Sequence, residues 1–511
     1  MSALIRDRYG VDVEASDAAA VAALDEAVHC LAGLEGDLVA AAARPVLVLG
    51  RCLAAYLDCY TGSRSGYAAA RAVLDGTPAP SAPRERAHLA AARSWADGDL
   101  DAAARHLERA LLRNPRDLLA LKVAQDLYFM LGDRVNLRDV AARVLPAWRD
   151  DSPGAGYVLG MYAFGLEECG DYAAAERFGR AALAASRRDA WAAHAVIHVY
   201  EMTGRPEEGL AFAADSAAGW GPSFFAVHNW WHTGLYQLEL GRLREALAVY
   251  DNRVITLGLA TPLGQVDAAS LLWRLWLHGA DLGEAGPGEA DTNGGSTGGG
   301  GSGRAGTDGG RRAALLADAF EHRLLDSAYC FNDWHAAMAL ALAGRLETAE
   351  LLAAELPARA RGTNKVMLDR AGLDVIRGVI AFARRQYPLA VELLGRARPY
   401  ASVIGGSHAQ RDAIDLTLLA AAAAADATAG TAISVAAHEP YDALVRALVN
   451  ERTARKPAAG LAARLVIDAS RERALRLGAA RHGAAYHGAA HHGTAHHETA
   501  RSLTTATDVR P

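Results

Sequence analysis

The side chains best able to do chemistry recur in one register. His228-Asn229-Trp230-Trp231-His232 sets two imidazoles four residues apart, and Asn332-Asp333-Trp334-His335 partly repeats the string. His232 and His335 each stand nine residues before a Gly-Arg-Leu. Upstream, His194, His198 and Glu201 are spaced four and then three apart, which stacks them on one helical face. His194 to His228, His198 to His232 and Glu167 to Glu201 are each 34 residues. Three uses compete for such a set. Imidazoles with a carboxylate suit a divalent metal such as Zn, Fe, Mn, Ni or Cu, and the spacing offers His198, Glu201, His228 and His232 as ligands. No glutamate follows His194 or His228, so the metalloprotease HExxH pattern is absent. Metal-free acid–base chemistry would use a histidine oriented by Glu201 or Asp333. Recognition without chemistry would use Trp230, Trp231 and Trp334 as flat apolar area, with His and Asn229 fixing orientation. Against all three stands the plainer reading, in which Trp and His at helical spacing are packing.

A second candidate lies far along the chain, at Gly405-Gly406-Ser407-His408-Ala409-Gln410-Arg411-Asp412. Ser407 can cap a helix whose free N–H groups, with Arg411, hold an anion. The alternative is a capped helix whose Arg411 and Asp412 form ion pairs.

These residues must be positioned by a helix-hairpin repeat of about 34 residues. Its best copy runs Gly98-Asp99-Leu100, Ala103, Ala110 and Asn114-Pro115: a turn glycine, small residues where the second helix approaches its neighbours, and a helix-ending proline. This is the tetratricopeptide order. The turn returns at Gly132-Asp133, Gly170-Asp171, Gly204-Arg205, Gly241-Arg242 and Gly344-Arg345, with the alanines progressively lost. Successive first helices of such an array line its concave wall, so residues one repeat apart form a ladder.

With 51% hydrophobic and 22% charged residues, much of the apolar share alanine, the 511-residue chain reads as all-α, a helical-repeat superhelix or α-solenoid. Residues 1–283 form an N-terminal repeat block and 311–474 a C-terminal one. Between them, 284–310 collapse into Gly, Ser, Thr and Asp, a flexible linker. Residues 475–511 read as a disordered tail carrying six histidines from His482 to His497, which bind metal opportunistically at most. A net charge of −6 and the lack of a long basic stripe argue against nucleic acid as a partner. The start lacks a secretion signal, and the longest apolar run, Leu416 to Ala425, is too short for a membrane helix, so a cytoplasmic protein is expected. Five cysteines without a CxxC pair read as core thiols.

Tyr128-Phe-Met-Leu-Gly-Asp133, Gly160-Met-Tyr-Ala-Phe-Gly-Leu-Glu-Glu168, His198-Val-Tyr-Glu-Met-Thr-Gly-Arg205, His228-Asn-Trp-Trp-His232 and the 405–412 segment together resemble the tetratricopeptide repeat protein 38 family. The resemblance spans roughly residues 5 to 450. It implies an α-helical superhelix in a cytosolic protein, without an assigned activity. It implies as signature residues His198, Glu201, His228, Asn229, Trp231, His232, His408, Gln410, Arg411 and Asp412. Two readings follow: a repeat protein that binds a peptide, protein or small-molecule ligand in a concave pocket, or an enzyme acting on a small molecule by metal-assisted or His/Glu acid–base chemistry. Register for the first five, and resemblance for the last, predict that His198, Glu201, His228, His232, His335 and His408 line one pocket. A closed superhelix favours small-molecule chemistry and an open groove favours scaffolding. Terminal repeats need capping, and homo-oligomerisation is one way to supply it.

Overall fold

Two adjacent residues build each hairpin turn. Gly98, Gly132 and Gly170 take φ of 85°, 68° and 86°, and the Asp99, Asp133 and Asp171 that follow each accept a backbone N–H from the next helix. At Gly204-Arg205 and Gly344-Arg345 the glycine stays left-handed (67° and 72°) but no side chain caps the helix. The arginines instead reach carboxylates of the preceding repeat: Arg205 lies 2.8 Å from Glu176 and Arg345 2.6 Å from Asp318.

The computed structural model describes residues 3–34, 36, 47–149, 151–282, 308–429, 439–456 and 460–475. The glycine-rich stretch up to 307 and the tail from 476, expected as linker and disordered tail, lie outside the described residues. Strands β1 (Ala3–Arg6) and β2 (Asp12–Ala15) form an antiparallel hairpin ahead of α1 (Ala18–Gly33). Helix pairs then follow: α2 (Val48–Tyr60) and α3 (Arg64–Asp75), α4 (Pro83–Ala96) and α5 (Leu100–Arg113), α6 (Leu118–Leu131) and α7 (Arg134–Val144), α8 (Ala155–Glu168) and α9 (Tyr172–Ala185), α10 (Ala190–Met202) and α11 (Pro206–Trp220). Next come α12 (Ala226–Glu239) and α13, which runs from Leu243–Val249 through a π-turn into Ile255–Gly258. Then α14 (Pro262–Leu277) and α15 (Asp308–Glu321) precede α16 (Cys330–Leu342) and α17 (Leu346–Arg359). The array ends with α18 (Gly362–Met367, continuing through a π-turn to Leu373–Ala383), α19 (Tyr387–Ala397), α20 (His408–Ala429), α21 (Glu439–Arg455) and α22 (residues 460–475). The protein is an all-α, tetratricopeptide-type helical-repeat solenoid.

First and second helices divide the work. α10 is buried continuously from Ala190 to Glu201 and α14 from Gly264 to Leu277, whereas α9 buries only Ala175, Gly179 and Ala182. The first helices are therefore an inner layer and the second helices an outer one, which explains polar residues on α9 and a nearly unbroken apolar run in α14.

Winding then brings the later repeats back over the earlier ones. Ala328 N–H donates to the Gly62 carbonyl (2.8 Å), Thr363 N–H to the Gly98 carbonyl (2.9 Å) and Tyr329 Oη to the Met130 carbonyl (3.1 Å). A side chain at Gly132 would run into the Ser402 carbonyl, so the turn that starts α7 also serves as the landing place for this seam. α1 packs against α6 and α10, and α20 against α14 and α10. The interior is thus closed. Cys30, Cys52, Cys59 and Cys330 are buried in it and Cys169 is half-buried, with no disulfide among the described residues. No helix of the described residues is long and apolar enough to cross a membrane.

Candidate functional site

Four imidazoles meet where α10 and α12 pack side by side in this interior. α10 supplies His194 and His198, one turn apart with ring centroids at 4.4 Å; α12 supplies His228 and His232 at 5.0 Å. The 34-residue spacing becomes two rungs, His194 to His228 at 4.9 Å and His198 to His232 at 4.4 Å. All four are buried, and one nitrogen from each lies within 4.8 Å of the others.

Carboxylates from three helices surround the cluster. His232 Nδ1 donates to Glu201 Oε2 (2.6 Å) on α10, and His228 Nδ1 to Asp267 Oδ1 (2.8 Å) on α14. Glu167 on α8 stands 3.3 Å from His198 Nδ1. At His232 and His228 a proton held on Nδ1 leaves the Nε2 lone pair free, so Glu201 and Asp267 fix the tautomer as well as the ring orientation, whereas the His198 nitrogens and the Glu167 oxygens make no hydrogen bond among the described residues. His194 has no polar partner at either nitrogen and is held by the rings of Phe164, Trp191 and Phe225 at 5.1, 5.0 and 5.2 Å. Burial, reinforced by the neighbouring imidazoles, pushes His194 and His232 well below the usual histidine range, and burial lowers His198 too. Burial and the adjacent Glu168 push Glu167 well upward, and burial raises Asp267. Among the described residues neither carboxylate has a lysine or arginine within 4.0 Å; the nearest paired group is an imidazole, with Arg411 acting on Glu167 and Arg274 on Asp267 from farther away.

Outside this layer lies a cleft of about 640 Å³ whose lining includes Glu168, Glu201, His408, Arg411, Asp412 and Lys456. Glu168 accepts the backbone N–H of His408 (3.0 Å), and its other oxygen lies 3.0 Å from His408 Nδ1 and 3.7 Å from Arg411. Burial opposes its ionisation, but His408 and Arg411 outweigh burial and hold it down at about 2. Lys456 stands 3.9 Å from Glu201 and ion-pairs with Glu239, whose carboxyl burial lifts to about 7 despite that pairing. Ionisable side chains therefore run from the cleft to the imidazoles: Lys456 and His408, then Glu201 and Glu168, then His232 and His198.

The sequence expectations meet this geometry unevenly. Glu201, expected as a ligand beside His198, His228 and His232, points one turn onward to orient His232, and His194 completes the imidazole cluster instead. The helix start at 405–412 does not present free N–H groups to an outside anion. Ser407 and Gln410 cap each other (3.2 and 3.0 Å), Glu168 takes the His408 N–H, and Arg411 donates to the Gly405 and Gly406 carbonyls. Asp412 pairs with Arg452. Asn229 donates to the Ala190 carbonyl (3.4 Å), and Trp231 stacks on His228 at 5.1 Å and 15°. Asp333 and His335 are not brought into the cluster. Asp333 lines a separate cavity of about 40 Å³ with Thr61, Ser63 and Gln265, and burial lifts it to about 7. His335 donates from Nδ1 to the Phe331 carbonyl (2.8 Å). Register sets their depth along α16, but α16 packs chiefly on α14 and α18, away from α10 and α12. Asp267 belongs to none of the repeated strings, though a lone acid in the mostly apolar segment Val266–Leu277 is itself a signal.

Fold and site together define a closed helical-repeat solenoid with a polyhistidine centre beneath a charged cleft. No protein-family model matches the chain. Among solved structures, it is similar to a tetratricopeptide repeat protein from Parabacteroides merdae (13% identity, 66% of this chain and 99% of that one, TM-score 0.29). It is also similar to a Rap protein complexed with competence and sporulation factor (11%, 76% and 99%, TM-score 0.41) and to human IFIT1 in a dimer with m7Gppp-AAAA (12%, 80% and 92%, TM-score 0.37).

Proposed function

We propose that the chain binds a small polar ligand bearing an anionic group in the cleft above the imidazoles. The observation that carries this reading is size: charged and polar residues gather around a half-open cleft of about 640 Å³, a volume that suits a small molecule. Lys456 and His408 line the cleft, each already beside a carboxylate (Glu239 and Glu168), and are the groups that an anion would share with them. Native mass spectrometry of the full chain should reveal a copurifying molecule, and a panel of carboxylates and phosphates should raise its melting temperature. Lys456→Ala should abolish the shift. A panel that leaves the parent unmoved, alongside tight binding of peptides, would replace this reading with the scaffolding one.

The same convergence supports placing the chain with the tetratricopeptide repeat protein 38 family, because the motifs at 160–168, 198–205, 228–232 and 405–412 supply three of the four imidazoles and part of the cleft wall. An enzymatic reading has one observation in its favour. Neighbouring carboxyls, Glu167 and Glu168, are pushed in opposite directions, one upward and one down to about 2, which is the arrangement that separates an acid from a base. Turnover of a copurified ligand that is lost in Glu167→Gln would support it.

A further inference from the structure

We propose that His194, His198, His228 and His232 hold one divalent transition-metal ion, with Glu201 and Asp267 as the outer carboxylates that orient two of the rings and Glu167 standing beside a third. Packing alone explains buried aromatic rings touching edge to face. It does not explain why three carboxylates on three different helices converge on the Nδ1 side of those rings.

Three independent features point to a cation between the imidazoles. The first is distance. One nitrogen from each ring lies within 4.8 Å of the rest, and tetrahedral coordination at about 2.0–2.1 Å to nitrogen needs ligand atoms roughly 3.4 Å apart, a difference within reach of small side-chain rotations. The second is polar satisfaction. Both nitrogens of His194 and of His198 and the Nε2 atom of His232 are buried without a hydrogen-bond partner, as are both Glu167 oxygens, whereas buried polar atoms are ordinarily paired. The third is charge. Glu168 has Arg411 and Glu201 has Lys456 within 4.0 Å, but among the described residues Glu167 and Asp267 have only an imidazole that close, with Arg411 and Arg274 acting from farther off, so a dication among those rings supplies the nearer positive charge.

Ligand type narrows the ion. An all-imidazole set with carboxylates behind it suits Zn, Cu, Ni, Co or Fe, and not Mg or Ca, which take oxygen. Glu167, Glu168 and His198 also lie within 4.8 Å of one another, but Glu168 is already engaged by His408 and Arg411, so the four histidines are the better set. This centre stands on the buried cluster and does not depend on what occupies the cleft.

The test uses the full chain with His482, His487, His491, His492, His496 and His497 changed to alanine, which removes the tail as a competing binder. Because the cluster is enclosed, the chain is expressed in medium supplied with Zn²⁺ or Co²⁺, desalted, and analysed for metal, with visible absorption reporting the Co²⁺ environment. About one ion per chain should be retained, and His198→Ala with His228→Ala should lower retention more than tenfold. Those alanines can also impair folding. Glu201→Gln with Asp267→Asn therefore carries the test in a chain that keeps all four imidazoles: circular dichroism should be unchanged, while the chelator concentration that strips half the metal should fall by about 10–100-fold. A parent that retains no metal, or a Gln/Asn variant that holds it as tightly as the parent, would overturn the proposal. Neither result touches the cleft reading, whose thermal shift is measured with carboxylates and phosphates.

Discussion

α12 and α16 carry nearly the same string at the same distance from a Gly-Arg-Leu turn, yet they end in different chemistry. On α12, Trp231 stacks on His228 and His232 hydrogen-bonds Glu201 across the gap to α10. On α16, Trp334 packs at 4.5 Å from His335, whose Nδ1 is spent on the carbonyl one turn back, at Phe331. Both histidines are buried. What separates them is the neighbour: α12 faces α10 and α14, which bring Glu201, Asp267 and two more imidazoles, while α16 packs on α14 and α18, where Val375 and Val379 are among the buried residues. Repeat register assigns burial, and only the adjoining helix assigns a partner.

The sharpest way to break this contrast is to delete the histidines on each side of it. His228→Ala with His232→Ala should strip bound metal from the chain, whereas His335→Ala should leave metal content unchanged by elemental analysis. Equal loss in both would erase the distinction. The tryptophans should behave alike, because both are fully buried. Trp231→Ala and Trp334→Ala should each cost about 3–5 kcal/mol in urea unfolding. A much smaller cost at one of them would show that its pocket collapses or is already loose.

Acid should act on both helices in the same direction, because burial lowers His232 as well as His335. Burial, only partly offset by the Phe331 carbonyl, pushes His335 down to about 3, against about 6.5 for an ordinary histidine. Between those values the unfolded chain binds the extra proton, so stability falls as pH drops from about 6.5 towards 3. His335→Leu should flatten that slope in pH-dependent denaturation, and an unchanged slope would contradict a neutral, buried His335. The smallest effect belongs to Asn229, whose bond to the Ala190 carbonyl is long at 3.4 Å. Asn229→Ala should cost about 0.5–1.5 kcal/mol by the same unfolding assay.

How much of this was legible in the sequence follows from the same distinction. Turns and helix pairs were, because Gly-Asp and Gly-Arg dipeptides act locally through left-handed backbone and capping. The rungs His194 to His228 and His198 to His232 were too, since adjacent repeats superpose at one period. His194 in place of Glu201 was not, because three residues beyond His198 a side chain has turned towards the next helix. The contacts of His408 with Glu168 and of Lys456 with Glu201 depend on how far the superhelix winds before it meets itself. That curvature accumulates from many small interhelical angles, and no motif encodes it. Asp333 shows the converse error, in which a residue in the expected register lies at a different interface.

Crystals of the full chain, grown from cells supplied with zinc, allow one decisive measurement: anomalous difference density above and below the zinc edge. A single peak between the four imidazoles of α10 and α12, with Glu201 and Asp267 still bonded to His232 and His228, is the predicted result. An empty cluster in zinc-loaded crystals, or density on the surface alone, would contradict a metal centre there and return the four histidines to packing.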